Sequence, residues 1–530
     1  MTDLEPPGAA APRRPPSNLT AQTASGLGWS YLSVATLVVA NLAYTATISR
    51  LLGPVAFGLL AMANLVVLFV QYFARMGLAS AMVQKPDLSD DEIRASSTVG
   101  IVIGLICMAC IWVLAPAMGA LFDAPTLPSI VRGLSVSCVF MGWSQTGNGL
   151  LRRHLRFRAL SLVAVCSYVF AYLVVGVGLA LLGAGLWSLV AASVASTAVQ
   201  SVLQYALLRH PVRPALHWEP YRVVCGYGAR LSGAYLMDYV GSNLDTLTVT
   251  RIASTAVLGQ YSRAYYLVFQ PLGNYVAQAL STVLFSMLSR VQQDLTRLRR
   301  AFLSVLSITS IVIFPMCAGM AVAADELVRV VLGPQWTLVP GLVPWFALAG
   351  GCHVASQMSQ LLAEARAELN RSLAVQVVYL AALALLLLSA VPFRSHGVWV
   401  IAAAVAGAEV LRYLSYLRLT RRVLHLTFGE LWQAHLPAAF ASTGVALAVA
   451  AVRAPLAGHA PAILVLAAEI CLGVLAVVLC IRFCPVPPFR RELRLRLDAA
   501  ALLGASGGLR HRLARLVLGP EVPTPERGRP

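Results

Sequence analysis

A single lysine, Lys85, stands in the 530 residues of this chain. A Walker A loop needs a lysine after its glycine-rich turn, so a P-loop that hydrolyses nucleotides is excluded. No Gly-x-Gly-x-x-Gly opens a helix after a strand, and no His-Glu-x-x-His occurs; the histidines are scattered, mostly at helix ends. Dinucleotide-binding and zinc-protease signatures are therefore missing. Ten cysteines are present, but most sit inside apolar runs (Cys107, Cys110, Cys138, Cys166, Cys317, Cys352, Cys471 and Cys480), where a thiol serves as small apolar filler. Cys480 and Cys484 have no second pair nearby, so they do not make a zinc site. Catalytic residues, metal and cofactors are all expected to be none. Any pumping must draw on an ion gradient or on the gradient of the substrate itself.

Charge is scarce too. Only 12% of residues are charged and 58% are hydrophobic, against roughly 25% charged in a soluble domain; mean hydropathy is +0.75. A soluble core could not hide so much apolar surface, so lipid must cover the rest. What the sequence does contain is about fourteen long apolar stretches, each near the ~20 residues that cross a bilayer. They fall near 26–48, 55–75, 96–121, 128–150, 160–182 and 186–208, then 228–250, 257–288, 301–323, 338–362, 371–391 and 396–418, and finally 435–453 and 461–483.

Arginine crowds into every second connection: Arg152, Arg153, Arg156 and Arg158; Arg209, Arg213 and Arg222; Arg290, Arg297, Arg299 and Arg300; Arg418, Arg421 and Arg422. The positive-inside rule makes these the cytoplasmic connections and puts both termini in the cytoplasm. The formal charge of +18 therefore holds topology and meets anionic lipid headgroups rather than nucleic acid. The fold class that follows is all-α and polytopic: two six-helix lobes around a central cavity, plus two extra C-terminal helices. The expected division is a disordered tail over 1–22, an N-terminal lobe over 23–222, a C-terminal lobe over 223–425, two further helices over 426–486 and a basic amphipathic tail over 487–530.

The two lobes are expected because the chain partly repeats at an offset of 201 residues. SRLLGPVAFGLL begins at Ser49 and TRIASTAVLGQY at Thr250, aligning Arg50 with Arg251 and Gly58 with Gly259. Repeats of this kind place a substrate site at their interface. Arg50, Arg251 and Arg263 lie on the base-poor side, against the rule. Either they face a cavity mouth or they cap helix C-termini, where a cation is favourable.

With SRLLGPVAFGLLAMANLV, LRRHLRFRAL and SNLDTLTV followed by LGQYSRAYYL, the chain resembles the Wzx-like polysaccharide transporter branch of the multidrug/oligosaccharidyl-lipid/polysaccharide exporter superfamily. The resemblance runs from about Gly26 to Arg371. It implies alternating access between two lobes in a bacterial cytoplasmic membrane. It implies an oligosaccharide on undecaprenyl pyrophosphate as cargo, a repeat unit of O-antigen, capsule or exopolysaccharide. A polysaccharide polymerase and glycosyltransferases are the further partners it suggests. Relatives often carry an acid where this chain has Arg75, in ARMGLASA.

A charge at the bilayer centre costs roughly 2.5–3.5 kcal/mol on insertion scales, so such residues are functional candidates. The substrate-binding candidates are Arg50, Arg75, Arg251, Arg263, Asn243 and Tyr265, since guanidinium pairs with phosphate through two hydrogen bonds. Asp238 and Asp245, on one helix face, are candidates for ion coupling or gating, with a structural salt bridge as the plainer alternative. Glu409 is expected to pair with Arg412 three residues on. Glu469 stands alone in the last span. A cationic-drug antiporter would favour acids and aromatics in its cavity. A multispan polymerase or ligase would need a sizeable outer loop, and the longest one, Asp325–Val339, has no evident nucleophile and base pair.

Overall fold

Helix formation here follows from long apolar runs with polar caps at their ends, and no strand interrupts it among the described residues. The computed structural model describes the backbone of residues 19–75, 88–209, 241–277 and 294–483, with breaks at 367, 393–396 and 457–459, and residues 78, 79, 82, 211 and 239 besides; side chains are described within these ranges from Leu32 onward, except 72–75 and 274–277. In chain order the elements are α1 (Leu19–Leu51), α2 (Pro54–Arg75), α3 (Asp90–Leu121), α4 (Leu127–Arg153), α5 (Phe157–Leu181) and α6 (Leu186–Leu208). Helix α7 covers residues 241–252, and α8 (Thr255–Phe269) continues as a π-helical stretch, Gln270–Ala277. Then come α9 (Leu295–Val322), the short α10 (Ala324–Val331), α11 (Val339–Ala365), α12 (Leu369–Ala390), α13 (Trp399–Leu424), α14 (Phe428–Leu456) and α15 (Ala462–Phe483).

Eleven of the described helices are long and apolar enough to cross a membrane. Three more stretches, α4, α7 and α8, stand where spans were expected. Helix α4 is less apolar than the eleven because it is lined with polar groups that pack inward, among them Ser135, Ser137, Ser144 and Thr146, all buried. Helix α1 starts at Leu19, inside the tail expected to end at 22; the last proline before it is Pro16, after which nothing blocks helical hydrogen bonding. The expected basic tail 487–530, most of the 1–22 tail and the 222/223 boundary lie outside the described residues.

Local chemistry fixes the helix starts. Ser89 caps α3 in a capping box: Glu92 N–H donates to Ser89 Oγ at 3.3 Å, and Ser89 N–H donates to Glu92 Oε2 at 3.1 Å. Asp294 caps α9 by accepting from Arg297 N–H at 3.0 Å. Thr427 and Glu430 form a second capping box at α14.

The repeat seen in sequence reappears in geometry. Helices α4 and α11 both have 27 residues and begin with proline in the first turn. Helices α3 and α9 carry an internal proline near the same end, Pro116 and Pro315. Helices α6 and α13 each follow a positive-φ glycine, Gly185 and Gly397, and each ends on a left-handed non-glycine, Arg209 and His425. Packing follows the same division. Helix α4 packs on α2, α3 and α6, and α1 on α5; α11 packs on α8, α9 and α13, and α12 on α13. The two bundles meet chiefly where α2 crosses α8 and where α1 meets α10. The crossing of α2 and α8 is close: a Cβ on Gly58 would strike the Thr255 carbonyl, and one on Gly259 would strike that of Pro54. The last two helices pack on each other and on α9, and α15 also on α10.

Candidate functional site

The seam between the bundles holds a buried cation. Arg263 on α8 is 9% exposed, and no carboxylate lies within ion-pair distance of it among the described residues. Aromatic faces surround it instead. Its guanidinium carbon sits 3.7 Å from the Phe57 ring centroid of α2 and 5.4 Å from that of Tyr266. Ring quadrupoles attract a cation and hold it without neutralising it. Asn41 on α1 ties the surrounding tyrosines together, donating to Tyr168 Oη at 2.9 Å and Tyr266 Oη at 2.8 Å. Tyr172 stacks on Tyr168 at 4.6 Å and meets Tyr44 edge-on at 4.9 Å. Tyr172 lies in a π-helical stretch, Val169–Gly176, within α5; the extra residue in such a turn re-aims the side chains beside it. Four helices from both bundles therefore build one polar-aromatic cage around a single guanidinium.

At the end where α1 stops and α2 starts, the bundles are clasped. Arg50 Nη2 donates to the Val330 carbonyl of α10 at 2.6 Å, and Arg251 Nη1 donates to the Leu121 carbonyl of α3 at 2.9 Å. Both acceptors lie in the last turn of a helix in the opposite bundle, where carbonyls have no intrahelical partner. Trp336 adds to the seal, its indole N–H donating to Ser49 O at 3.0 Å and its ring 5.4 Å from Phe57. Gln335 Nε2 also donates to Ser49 O, and Leu338 N–H donates to Gln260 Oε1 at 2.7 Å.

A third feature lies within the second bundle. A cavity of about 730 Å³ opens among α7, α8, α11, α12 and α13 and is lined by Asp245, Glu364, Glu409, His353 and Arg412, with aromatic walls from Tyr265 and Phe269. Asp245 is 4% exposed and accepts from Tyr261 Oη at 2.7 Å. Glu409, 3% exposed, has its Oε1 contacted by Arg412 Nη1 at 3.3 Å, Tyr379 Oη at 3.0 Å and His353 Nδ1 at 3.2 Å. Its Oε2 has no partner among the described residues. Gln357 Nε2 is 3.1 Å from His353 Nε2. His353 Nδ1 is also 3.1 Å from Arg412 Nη1. One ring nitrogen thus stands between a carboxylate and a guanidinium and can satisfy only one of them.

Comparison with known proteins decides the family. Residues 47–339 match the family described as polysaccharide biosynthesis protein. The chain belongs to that family. It is 24% identical over 361 residues to the lipopolysaccharide biosynthesis protein WzxC of Escherichia coli K12, covering 67% of this chain and 72% of that one. It is 25% identical over 325 residues to the succinoglycan biosynthesis transport protein ExoT of Rhizobium meliloti, covering 61% and 65%. Among solved structures it resembles the lipid II flippase MurJ in its inward closed conformation, with a TM-score of 0.66, 13% identity, and 88% and 99% of the two chains covered. This last likeness carries the fold: a multi-pass helical membrane protein.

In this family member the candidates from sequence scatter over three places. Arg263 occupies the seam. Arg50 and Arg251 are exposed and clasp the far bundle; they do cap helix C-termini, but those of other helices rather than their own. Tyr265 lines the cavity, stacked on Phe269 at 4.2 Å, and Asp245 lines it too. Asn243 donates to Tyr239 O at 2.9 Å, a bond within one helical turn. Asp238 and the side chain of Arg75 lie outside the described residues. Glu409 and Arg412 form the i, i+3 pair that their spacing predicts. His353, Gln357, Tyr379 and the cage tyrosines Tyr44, Tyr168 and Tyr172 were not singled out from sequence.

Proposed function

We propose that this protein is a flippase: it carries a lipid-linked oligosaccharide across the bacterial cytoplasmic membrane by alternating access and catalyses no covalent reaction. The observation that carries this reading is Arg263, a buried guanidinium at the seam with aromatic walls and, among the described residues, no carboxylate to neutralise it. A buried cation without a counter-ion costs several kcal/mol. A passing diphosphate supplies the missing charge, and guanidinium binds phosphate through two directed hydrogen bonds. The tyrosine hydroxyls and Asn41 offer partners to a sugar head, while the lipid tail stays in the bilayer. Relatives named for lipopolysaccharide biosynthesis and succinoglycan biosynthesis transport support a polysaccharide precursor as cargo; in this reading the carrier is undecaprenyl pyrophosphate, with glycosyltransferases acting before the protein and a polymerase after it. In this reading the lobes are 23–222 and 223–425, both termini are cytoplasmic, and the clasped end faces outward.

The cavity of the second bundle favours a second reading. Its acids (Asp245, Glu364 and Glu409) and aromatic rings are what a cationic-drug antiporter would carry. All of its walls belong to one bundle, however. That suits a coupling cation or proton held at Asp245 and Glu409 better than a large cargo that must cross between bundles.

The test is transport of a fluorescent polyprenyl-pyrophosphate oligosaccharide in proteoliposomes. Arg263→Ala should abolish it and Arg263→Lys should retain a fraction, since lysine keeps the charge but loses the bidentate geometry. Full transport by Arg263→Ala, or transport of organic cations alone, would overturn the assignment.

A further inference from the structure

Leu121, the last residue of α3, and Val322, the last of α9, are 201 positions apart, the spacing of the repeat. Their carbonyls are not served alike. That of Leu121 accepts from Arg251 of the opposite bundle at 2.9 Å. By the repeat, that of Val322 should accept from Arg50. It accepts instead from Arg453 of α14, whose Nη1 donates to it at 2.8 Å. Arg50 reaches further along the chain, to the Val330 carbonyl at 2.6 Å. A helix outside both halves has thus taken the place of Arg50 at the end of α9.

Helix α10 is what breaks the symmetry. Residues 122–126 join α3 to α4, but residues 323–338 join α9 to α11, so the offset between the halves grows from 201 to 212 across this junction. The additional residues fold as α10 and carry the acceptor of Arg50. Arg453 grips α10 by its first turn: Nη2 donates to Asp325 Oδ2, and Nε lies 3.4 Å from Glu326 Oε1. With Nη1 on Val322, all three nitrogens of one planar guanidinium meet the corner between α9 and α10, a use that its rigid fork of donors suits. At the other end of α10, Val330 serves two neighbours. Its side chain packs against the cluster of Ala323, Val445, Val449 and Leu466, which draws on α14 and α15, while its carbonyl holds Arg50 of the first bundle. A helix of eight residues is too short to hold its own shape in isolation, for which about 12–15 are needed. Its position therefore depends on what grips its ends.

We propose that Arg453 is a positioning residue for the gate: by fixing the first turn of α10 it sets where the Val330 carbonyl stands, and so how firmly Arg50 clasps the two bundles. The two terminal helices, which lie outside the repeat, thereby govern one of its two clasps and leave the other, Arg251 on Leu121, untouched. Loss of the Arg453 grip frees α10 to shift, the Val330 carbonyl leaves its place, and the Arg50 bond weakens without any change at Arg50 itself. This inference rests on the alternating-access reading of the seam and not on the nature of the cargo.

The experiment measures distances between spin labels at Leu51 and Ser254 in the full-length protein, cleared of native cysteines, in lipid nanodiscs without cargo. Arg453→Gln should raise the population of the open seam about fivefold, as the loss of one such hydrogen bond does. Arg453→Lys, which keeps the charge but not the fork, should fall between it and the wild type. Combination decides between positioning and general loosening. Arg453→Gln with Arg251→Ala should reach the product of the single effects, because they act on separate clasps, whereas Arg453→Gln with Arg50→Ala should fall short of it, because both act on one. Asp325→Asn, at the half-exposed edge of the same contact, should raise the open population about twofold and decides the matter should Arg453→Gln fail to fold. A wild-type distribution in the folded variant, or a full product with Arg50→Ala, would overturn the proposal. Because no cargo is present, failure here is distinct from failure of the transport assignment.

Discussion

Gly58 and Gly259 lie against each other's helices in a reciprocal contact. Each sits where its Cβ would strike a backbone carbonyl, Gly58 that of Thr255 and Gly259 that of Pro54. The two glycines are 201 positions apart, and so are the two carbonyl residues. A contact that maps onto itself in this way is what a pseudo-twofold axis between two halves produces. The axis therefore passes near the crossing of α2 and α8.

That crossing should not tolerate a methyl group. Gly58→Ala and Gly259→Ala are each expected to lower stability by about 1–3 kcal/mol, because a carbonyl on the opposing helix has no flexible end to move aside. Gly53 has nothing within 4 Å of an added Cβ, so Gly53→Ala should fall within about 0.5 kcal/mol of wild type. Thermal unfolding in detergent measures all three.

Removing the clasp should shift a conformational equilibrium rather than unfold the chain. Arg50 and Arg251 are exposed, and each makes one bond to a carbonyl, an interaction worth about 1 kcal/mol in such a setting. Alanine at either position should raise the open population about fivefold, and both together should approach the product. Distances between spin labels at Leu51 and Ser254, in a background cleared of native cysteines, report it. An unchanged distribution in the double variant would show that Trp336 and the glycine crossing hold that end alone.

Within the cavity, Glu409→Gln removes the carboxylate from a buried ion pair with Arg412 and should cost about 3–5 kcal/mol. The double replacement Glu409→Gln with Arg412→Gln should recover much of that loss, since the pair is removed together. Asp245→Asn keeps the Tyr261 bond in nearly the same shape. It should leave stability close to wild type and abolish the dependence of transport on an imposed ion gradient in proteoliposomes.

Periodicity made the helices legible, because each span must satisfy its own backbone bonds in lipid. Glu409 and Arg412 could be paired from spacing, since three residues on a helix share a face. The partners of Arg50 and Arg251 could not be read, because they are main-chain carbonyls, which every position possesses. The cage around Arg263 was hidden for another reason: Asn41, Phe57, Tyr168 and Tyr266 come from four helices, and only the fold makes them neighbours. His353 gave no signal of its own, since a lone histidine in an apolar helix has no motif around it.

The carbonyls of Leu121 and Val330 borrow their hydrogen bonds from arginines across the seam. Once those bonds part, the oxygens need new donors, and acyl chains have none to give. Parting those bonds leaves both oxygens to water, so this end of the seam must border the aqueous phase rather than acyl chains.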